Sequence, residues 1–330
     1  MKNLLRILLK PLNPVDLEFG SRLPRKPYNF FERIKVVIVG IKTRDKNSFK
    51  YILNIIKYII IRFTVLIYFP IIIILKILNY KFVVINYWQF GAFAQQLSFL
   101  IKDIELEKNS KYFVYVPEVF VINKGLLNIF KKKIKIISNI YLCMILFPLF
   151  HSNLIKKSVV EYDEHFLNTK TYKINKKFLN FDQSFFDFED QKKKLLEKYF
   201  FDLIGFNSSD KYAVINLRTG DFYKDFNYNL RNSNPKKYLK TINYLKQNDF
   251  KIICFNSEID EFKNIDDVFI YSDYVKKEND ELEIFVLKEA NIFITNMFGP
   301  KNVASILCTP SLVCDSFPYS SILPYNNSDI

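Results

Sequence analysis

From about residue 205 the chain alternates short apolar runs with stretches of helical periodicity. The segments 212–217 (YAVINL), 251–255 (KIICF), 268–271 (VFIY), 292–295 (IFIT) and 311–315 (SLVCD) have strand length and carry apolar side chains at consecutive positions. Between them, Tyr238, Leu239, Ile242 and Leu245 share one helical face, behind Asn234 as a cap and Pro235 in the first turn. Leu282, Phe285 and Val286 repeat at the same spacing, and Pro300 opens a helix bearing Val303, Ile306 and Leu307. Continuous apolar strands separated by amphipathic helices predict a parallel sheet covered on both faces.

Upstream the pattern is weaker. Strands are expected at 81–86 (KFVVIN) and 112–117 (YFVYVP), with a helix over about 92–102. The run 140–150 is apolar, broken by Pro148, and reads as core or as a membrane contact. Residues 155–195 carry little pattern, and 192–201 predicts a short linking helix. The expected organisation is therefore a basic segment over 1–80, an N-terminal Rossmann-like domain over 81–200 and a C-terminal Rossmann-like domain over 201–330, an α/β architecture throughout.

Charge sharpens this division. Residues 1–80 hold 15 Lys+Arg against 4 Asp+Glu, most of the net charge of +14 of the whole chain. A nucleic-acid-binding protein spreads basic residues along its binding face. Here they crowd beside 63–75, 13 residues without a charge, so the partner expected is an anionic membrane surface and not nucleic acid. Spanning a bilayer needs about 20 apolar residues, and Arg62, Pro70 and Lys76 limit this run. It is expected to lie at the interface, with 51–78 as an interfacial or re-entrant element, a buried core helix being the alternative. The cysteines Cys143, Cys254, Cys308 and Cys314 and the histidines His151 and His165 have no metal-ligand spacing. The chain is expected to be reduced, at the cytoplasmic face of the inner membrane.

Ligands of open parallel sheets bind outside the carboxyl ends of the strands. Those ends supply the candidates for donor binding: Arg218 and Asp221 after the first C-terminal strand, Asn256, Ser257 and Glu258 after the second, Thr295, Asn296 and Gly299 after the fourth. Arg218 can present a forked donor to a diphosphate or pair with Asp221 or Asp225. The segment 295–301 (TNMFGPK) joins a strand to a helix start whose free backbone N–H groups suit an anion, and Gly299 permits close backbone approach. Around 86–96 (NYWQFGAFAQQ), Gly91, Gln95 and Gln96 are candidates for an acceptor cleft. Metal ligands and the catalytic base stay unassigned, and the motifs GxGxxG, GxxxxGK[ST], HExxH and GxSxG are absent.

The ordered set Ile215–Asn216–Leu217–Arg218, Arg231–Asn232–Ser233, the helix 235–245 and 292–300 resembles a family of bacterial glycosyltransferases of surface polysaccharide synthesis, and more distantly the bacterial fucosyltransferases. The resemblance covers about 205–317, and 84–100 more weakly. Members carry His-x-Arg after the first C-terminal strand. Arg218 matches it, while Asn216 stands where His is expected. At the family's Ser/Gly-rich turn only Gly299 matches. The resemblance implies a GT-B fold of two Rossmann-like domains and a metal-independent transfer. It also implies a nucleotide-sugar as substrate, no bound cofactor, and a surface glycan or lipid-linked acceptor. A polysaccharide pyruvyltransferase-like enzyme and a non-catalytic assembly protein on a decayed transferase scaffold are the alternatives; Asn216 and Phe298 favour decay.

Overall fold

A computed structural model of the chain describes residues 63–106, 110–150, 154–158, 186–207, 209–219, 232–257, 259–275, 279–296 and 299–315, with isolated positions at 56, 60 and 152. Most of the expected basic segment 1–80 therefore lies outside the described residues.

The chain is α/β and forms two compact units that interleave along the sequence. The first draws on 1–84, 109–120 and 136–158; the second on 85–108, 121–135 and 159–330. Each unit carries one wholly parallel sheet.

In the first unit the strands are β1 (Tyr80–Val84), β2 (Lys111–Tyr115), β3 (Ile136–Ile137) and β4 (Lys156–Ser158), in the order β3-β2-β1-β4. A first helix, α1 (Phe69–Ile77), precedes β1. A further helix of this unit, Ile140–Phe150, packs on the sheet through Phe150, whose ring lies 4.9 Å from Phe82 and 5.0 Å from Tyr115. Pro148 sits inside this helix and does not break it. It falls in the last turn, where the missing N–H removes only one hydrogen bond.

The second unit contributes α2 (Phe90–Leu106) and α3 (Lys124–Lys131); Ile140–Phe150 follows them as α4. Then come α5 (Asp190–Ile204), β5 (Lys211–Asn216), a 3₁₀ turn (Pro235–Tyr238) and α6 (Leu239–Gln247). The remainder runs β6 (Phe250–Cys254), α7 (Asp260–Lys263), β7 (Val268–Ile270), α8 (Tyr271–Tyr274), α9 (Asp280–Lys288), β8 (Ile292–Asn296), α10 (Gly299–Ile306) and β9 (Ser311–Cys314). The strand order is β7-β6-β5-β8-β9. Winding therefore proceeds outward from β5 to β7, then reverses to place β8 on the other side of β5. The first sheet repeats the same opening pattern.

Local chemistry explains the elements. Asn234 caps the 3₁₀ turn by accepting from the Lys236 N–H, and Asn279 caps α9 by accepting from Leu282. Gly205 ends α5 at a φ of 73°, a left-handed cap that glycine adopts without a Cβ penalty. The core of this sheet is apolar: Ala213, Ile215, Ile242, Ile252, Cys254 and Phe262 are all fully buried. Two helices from the N-terminal half complete the unit. Asn123 caps α3 and also donates to Glu283 of α9, while the Phe130 ring of α3 packs 6.3 Å from Phe93 of α2.

Candidate anion-binding site

The sheet of the second unit reverses its winding between β5 and β8, and those two strands pair directly, with Asn216 opposite Thr295. At such a switch point neighbouring loops diverge and leave a crevice beyond the carboxyl ends. Arg218 and Asn296 stand there.

The main chain of Arg218 is held by the Asn296 side chain. Asn296 Oδ1 accepts from the Arg218 N–H at 2.8 Å, and its Nδ2 donates to the Arg218 carbonyl at 3.1 Å. This amide extends the pairing of β5 and β8 past the end of the strands. It also donates to Ser233 Oγ at 2.9 Å, and the Ser233 N–H donates to the Arg218 carbonyl. Ser233 meets Tyr238 at 3.2 Å, whose phenol donates to Asp315. Burial pushes the Tyr238 phenol well above its ordinary pKa, so it stays neutral and can donate. On the other side, Asn256 Oδ1 accepts from the Leu217 N–H at 2.6 Å, and the Thr295 hydroxyl donates to the Asn216 carbonyl at 2.8 Å. The loop leaving β5 is thus fixed by side chains from β8, β6 and the 3₁₀ turn.

The Arg218 side chain is itself buried, with the residue only 6% exposed. A guanidinium stays protonated at all accessible pH, so it brings a fixed positive charge to the switch point. The next element across, α10, begins at Gly299 and carries Lys301, 3% exposed, in its first turn. Apart from Pro300, which has no N–H, its first residues have backbone N–H groups without intrahelical acceptors, where the helix dipole is positive. The arrangement suits an anion.

Glycine at this helix start has a steric cause. A Cβ on Gly91, at the beginning of α2, would lie 2.4 Å from the Gly299 Cα and 2.6 Å from its carbonyl oxygen. The two helix starts are in backbone contact. Below them Asn302 of α10 donates to Gln95 Oε1 at 3.2 Å, and Gln96 Oε1 accepts from the Asn86 N–H at 2.6 Å.

Among the residues expected in donor binding, Arg218, Asn256, Thr295, Asn296 and Gly299 converge on this switch point. Asn256, Thr295 and Asn296 have polar atoms engaged with backbone, so they shape the loop. Ser257 is exposed at the end of β6. Asp221 and Glu258 lie outside the described residues, as does Asp225. Gly91, Gln95 and Gln96 are buried, the first two against α10 and Gln96 against the Asn86 N–H. Sequence reasoning gave no site role to Lys301 or Tyr238, and quoted Ser233 only within the resemblance. Nothing in TNMFGPK marks Lys301 as buried, and Tyr238 counted as an apolar helix position although its hydroxyl joins the polar network.

Nucleophilic and metal chemistry are poorly served by the thiols. Burial raises the Cys143 thiol to about 12, and burial together with Asp315 raises that of Cys314. Among the described residues no group of three or more His, Cys, Asp or Glu could hold a metal ion.

No known protein family matches the chain, and no curated protein matches it. Solved structures with some likeness include the ADP-heptose LPS heptosyltransferase II of E. coli. It is 11% identical, with 75% of this chain and 88% of that one covered and a TM-score of 0.47. A glycosyl transferase of family 9 from Veillonella parvula is 11% identical over 74% and 85% of the two chains, at 0.45. The E. coli heptosyltransferase WaaC with ADP is 10% identical over 71% and 86%, at 0.38. With every TM-score below 0.5, these likenesses by themselves assign neither a fold family nor an activity.

Proposed function

We propose that this chain is a glycosyltransferase of the GT-B type that binds a nucleotide-sugar donor at the β5/β8 switch point and works at a membrane surface. The observation that carries the reading is the placement of buried Arg218, after β5, and of the start of α10, after β8, beyond the same ends of two adjoining strands at the reversal of the sheet. A donor diphosphate needs positive, directional partners that neutralise the charge growing on it as the sugar departs. Arg218, the N–H groups of the first turn of α10 and Lys301 supply such partners without a metal. Asn296, Ser233 and Asn256 hold the loop of Arg218 in place beforehand. The acceptor, a glycan or lipid-linked sugar, would be reached from the membrane, with the basic segment 1–80 holding the chain at its cytoplasmic face.

Thermal unfolding against a panel of uridine, guanosine, adenosine and cytidine nucleotide-sugars tests the reading. A specific donor at a hundred times its Kd stabilises the folded state by about 2.7 kcal/mol. One nucleotide class should raise the Tm, with EDTA making no difference. A flat response to every nucleotide and nucleotide-sugar at millimolar concentration would reject it.

A further inference from the structure

Two helices of the first unit turn apolar side chains outward. On α1 and residues 63–67 before it, Phe63, Leu66, Ile74 and Ile77 are 56–77% exposed, and only Ile72 of α1 is buried. On α4 the last turn is buried and the earlier turns, apart from Cys143, are exposed. Cys143, Phe147, Leu149 and Phe150 are buried, while Tyr141, Leu142, Met144 and Ile145 are 46–72% exposed. The two meet at Tyr68, the residue before α1, whose hydroxyl donates to the Ile145 carbonyl at 3.0 Å. The exposed residues therefore belong to one surface assembled from separate parts of the sequence. Isolated apolar residues on a surface are ordinary, but a contiguous patch of this kind calls for an occupant.

Charge selects the occupant. Within the first unit, the stretches 46–84 and 136–158, which hold α1 and α4, together carry 8 Lys+Arg and no Asp or Glu. An apolar face carried by stretches whose charges are all positive would repel a second copy of itself. It matches an anionic bilayer, where apolar side chains enter the acyl boundary and lysines meet headgroups. Length agrees, since α1 spans only about 14 Å at 1.5 Å per residue, and no helix among the described residues is long and apolar enough to cross a membrane. Tyr68 and Tyr141 suit the interfacial level.

We infer that α1 and α4 together form a monotopic docking surface for anionic lipid, α4 making a membrane contact of its own beyond the basic N-terminal segment. The inference stands independently of the donor site. Its test is co-sedimentation of the full-length protein with vesicles of phosphatidylcholine containing about a third phosphatidylglycerol. Leu142→Glu with Ile145→Glu on α4 should reduce binding at least tenfold, as should Ile74→Glu with Ile77→Glu on α1. The milder pair Leu142→Ser with Ile145→Ser should move binding in the same direction. Because these positions are exposed, the Tm of each variant and its nucleotide response should stay at the wild-type level. Undiminished vesicle binding by a folded α4 variant would confine the contact to the N-terminal segment and overturn the inference. So would a wild-type dimer, seen by light scattering without lipid, that the same α4 substitutions dissociate while vesicle binding is unchanged.

Discussion

Gly91 and Gly299 are in backbone contact although 208 positions separate them in the chain, and a methyl group on Gly91 would lie 2.4 Å from the Gly299 Cα. Backbone cannot yield as a side chain can, so Gly91→Ala should force α2 and α10 apart and cost about 1–3 kcal/mol of stability. Gly299→Ala should cost less, because its Cβ would sit 3.0 Å from the Gly91 nitrogen and 3.4 Å from its Cα. Chemical denaturation of both variants checks the order; a neutral Gly91→Ala would mean the contact is looser than described. Gly299→Val should lose stability even without ligand, since the glycine serves this packing as well as any phosphate.

Arg218→Ala should weaken nucleotide binding by about 10- to 150-fold, the loss of a charge-assisted contact of about 1.5–3 kcal/mol. Arg218→Lys should recover only part, since an ammonium lacks the planar fork. Calorimetric titration with melting curves on the same samples separates this from a structural role. A folded Arg218→Ala protein with wild-type affinity would remove the donor site from β5.

Asn296 holds the main chain of Arg218 in both directions. Asn296→Ala strips the buried Arg218 N–H of its acceptor and should cost about 1–3 kcal/mol. Asn296→Asp should be worse, because it places oxygen against the Arg218 carbonyl where an amide donated. Both should reduce nucleotide affinity together with Tm. If Asn296→Ala keeps its stability, the clamp is not what orders the loop.

Glu281 of α9 accepts from Lys192 of α5 at 2.7 Å and Asn128 of α3 at 3.1 Å. Partial burial raises its carboxyl pKa, but these hydrogen bonds and the lysine charges outweigh it and hold it below its ordinary value. A carboxylate depressed in the folded state adds stability above its unfolded pKa and loses it as pH falls through the folded one. Glu281→Gln should therefore be less stable than wild type at neutral pH, by at most about 1 kcal/mol for a partly exposed pair. The two denaturation curves should converge at acid pH. A gap that persists there would point to packing instead of charge.

How much was legible follows from where each signal resides. The strands β5, β6, β8 and β9 are apolar at nearly every position because both faces of a parallel sheet are covered, and all four stood out. Strands β3 and β4 are two and three residues long, and β4 reads Lys-Lys-Ser, too short for a period. The helix α3 was hidden by its lysines. Arg218 was found because a strand end is a local feature. The Ser233–Tyr238–Asp315 chain was not, since a phenol's reach is invisible to helical periodicity. Gln95 and Gln96 read in sequence as open to an acceptor cleft; Gln95 instead meets Asn302 of α10, far downstream, and Gln96 the Asn86 N–H, and both are buried.

The meeting of Gly91 with Gly299 also has a consequence in time. A ribosome adding about 5–20 residues per second needs roughly 10–40 s to travel between them. Throughout that interval the side of the nascent α2 that carries Gly91 and Gln95 is without the α10 backbone and Asn302 that will meet it. Synthesis of this chain thus includes a waiting period in which one side of α2 lacks its partner, and slowing translation over 106–299 should raise the aggregated fraction at constant final stability.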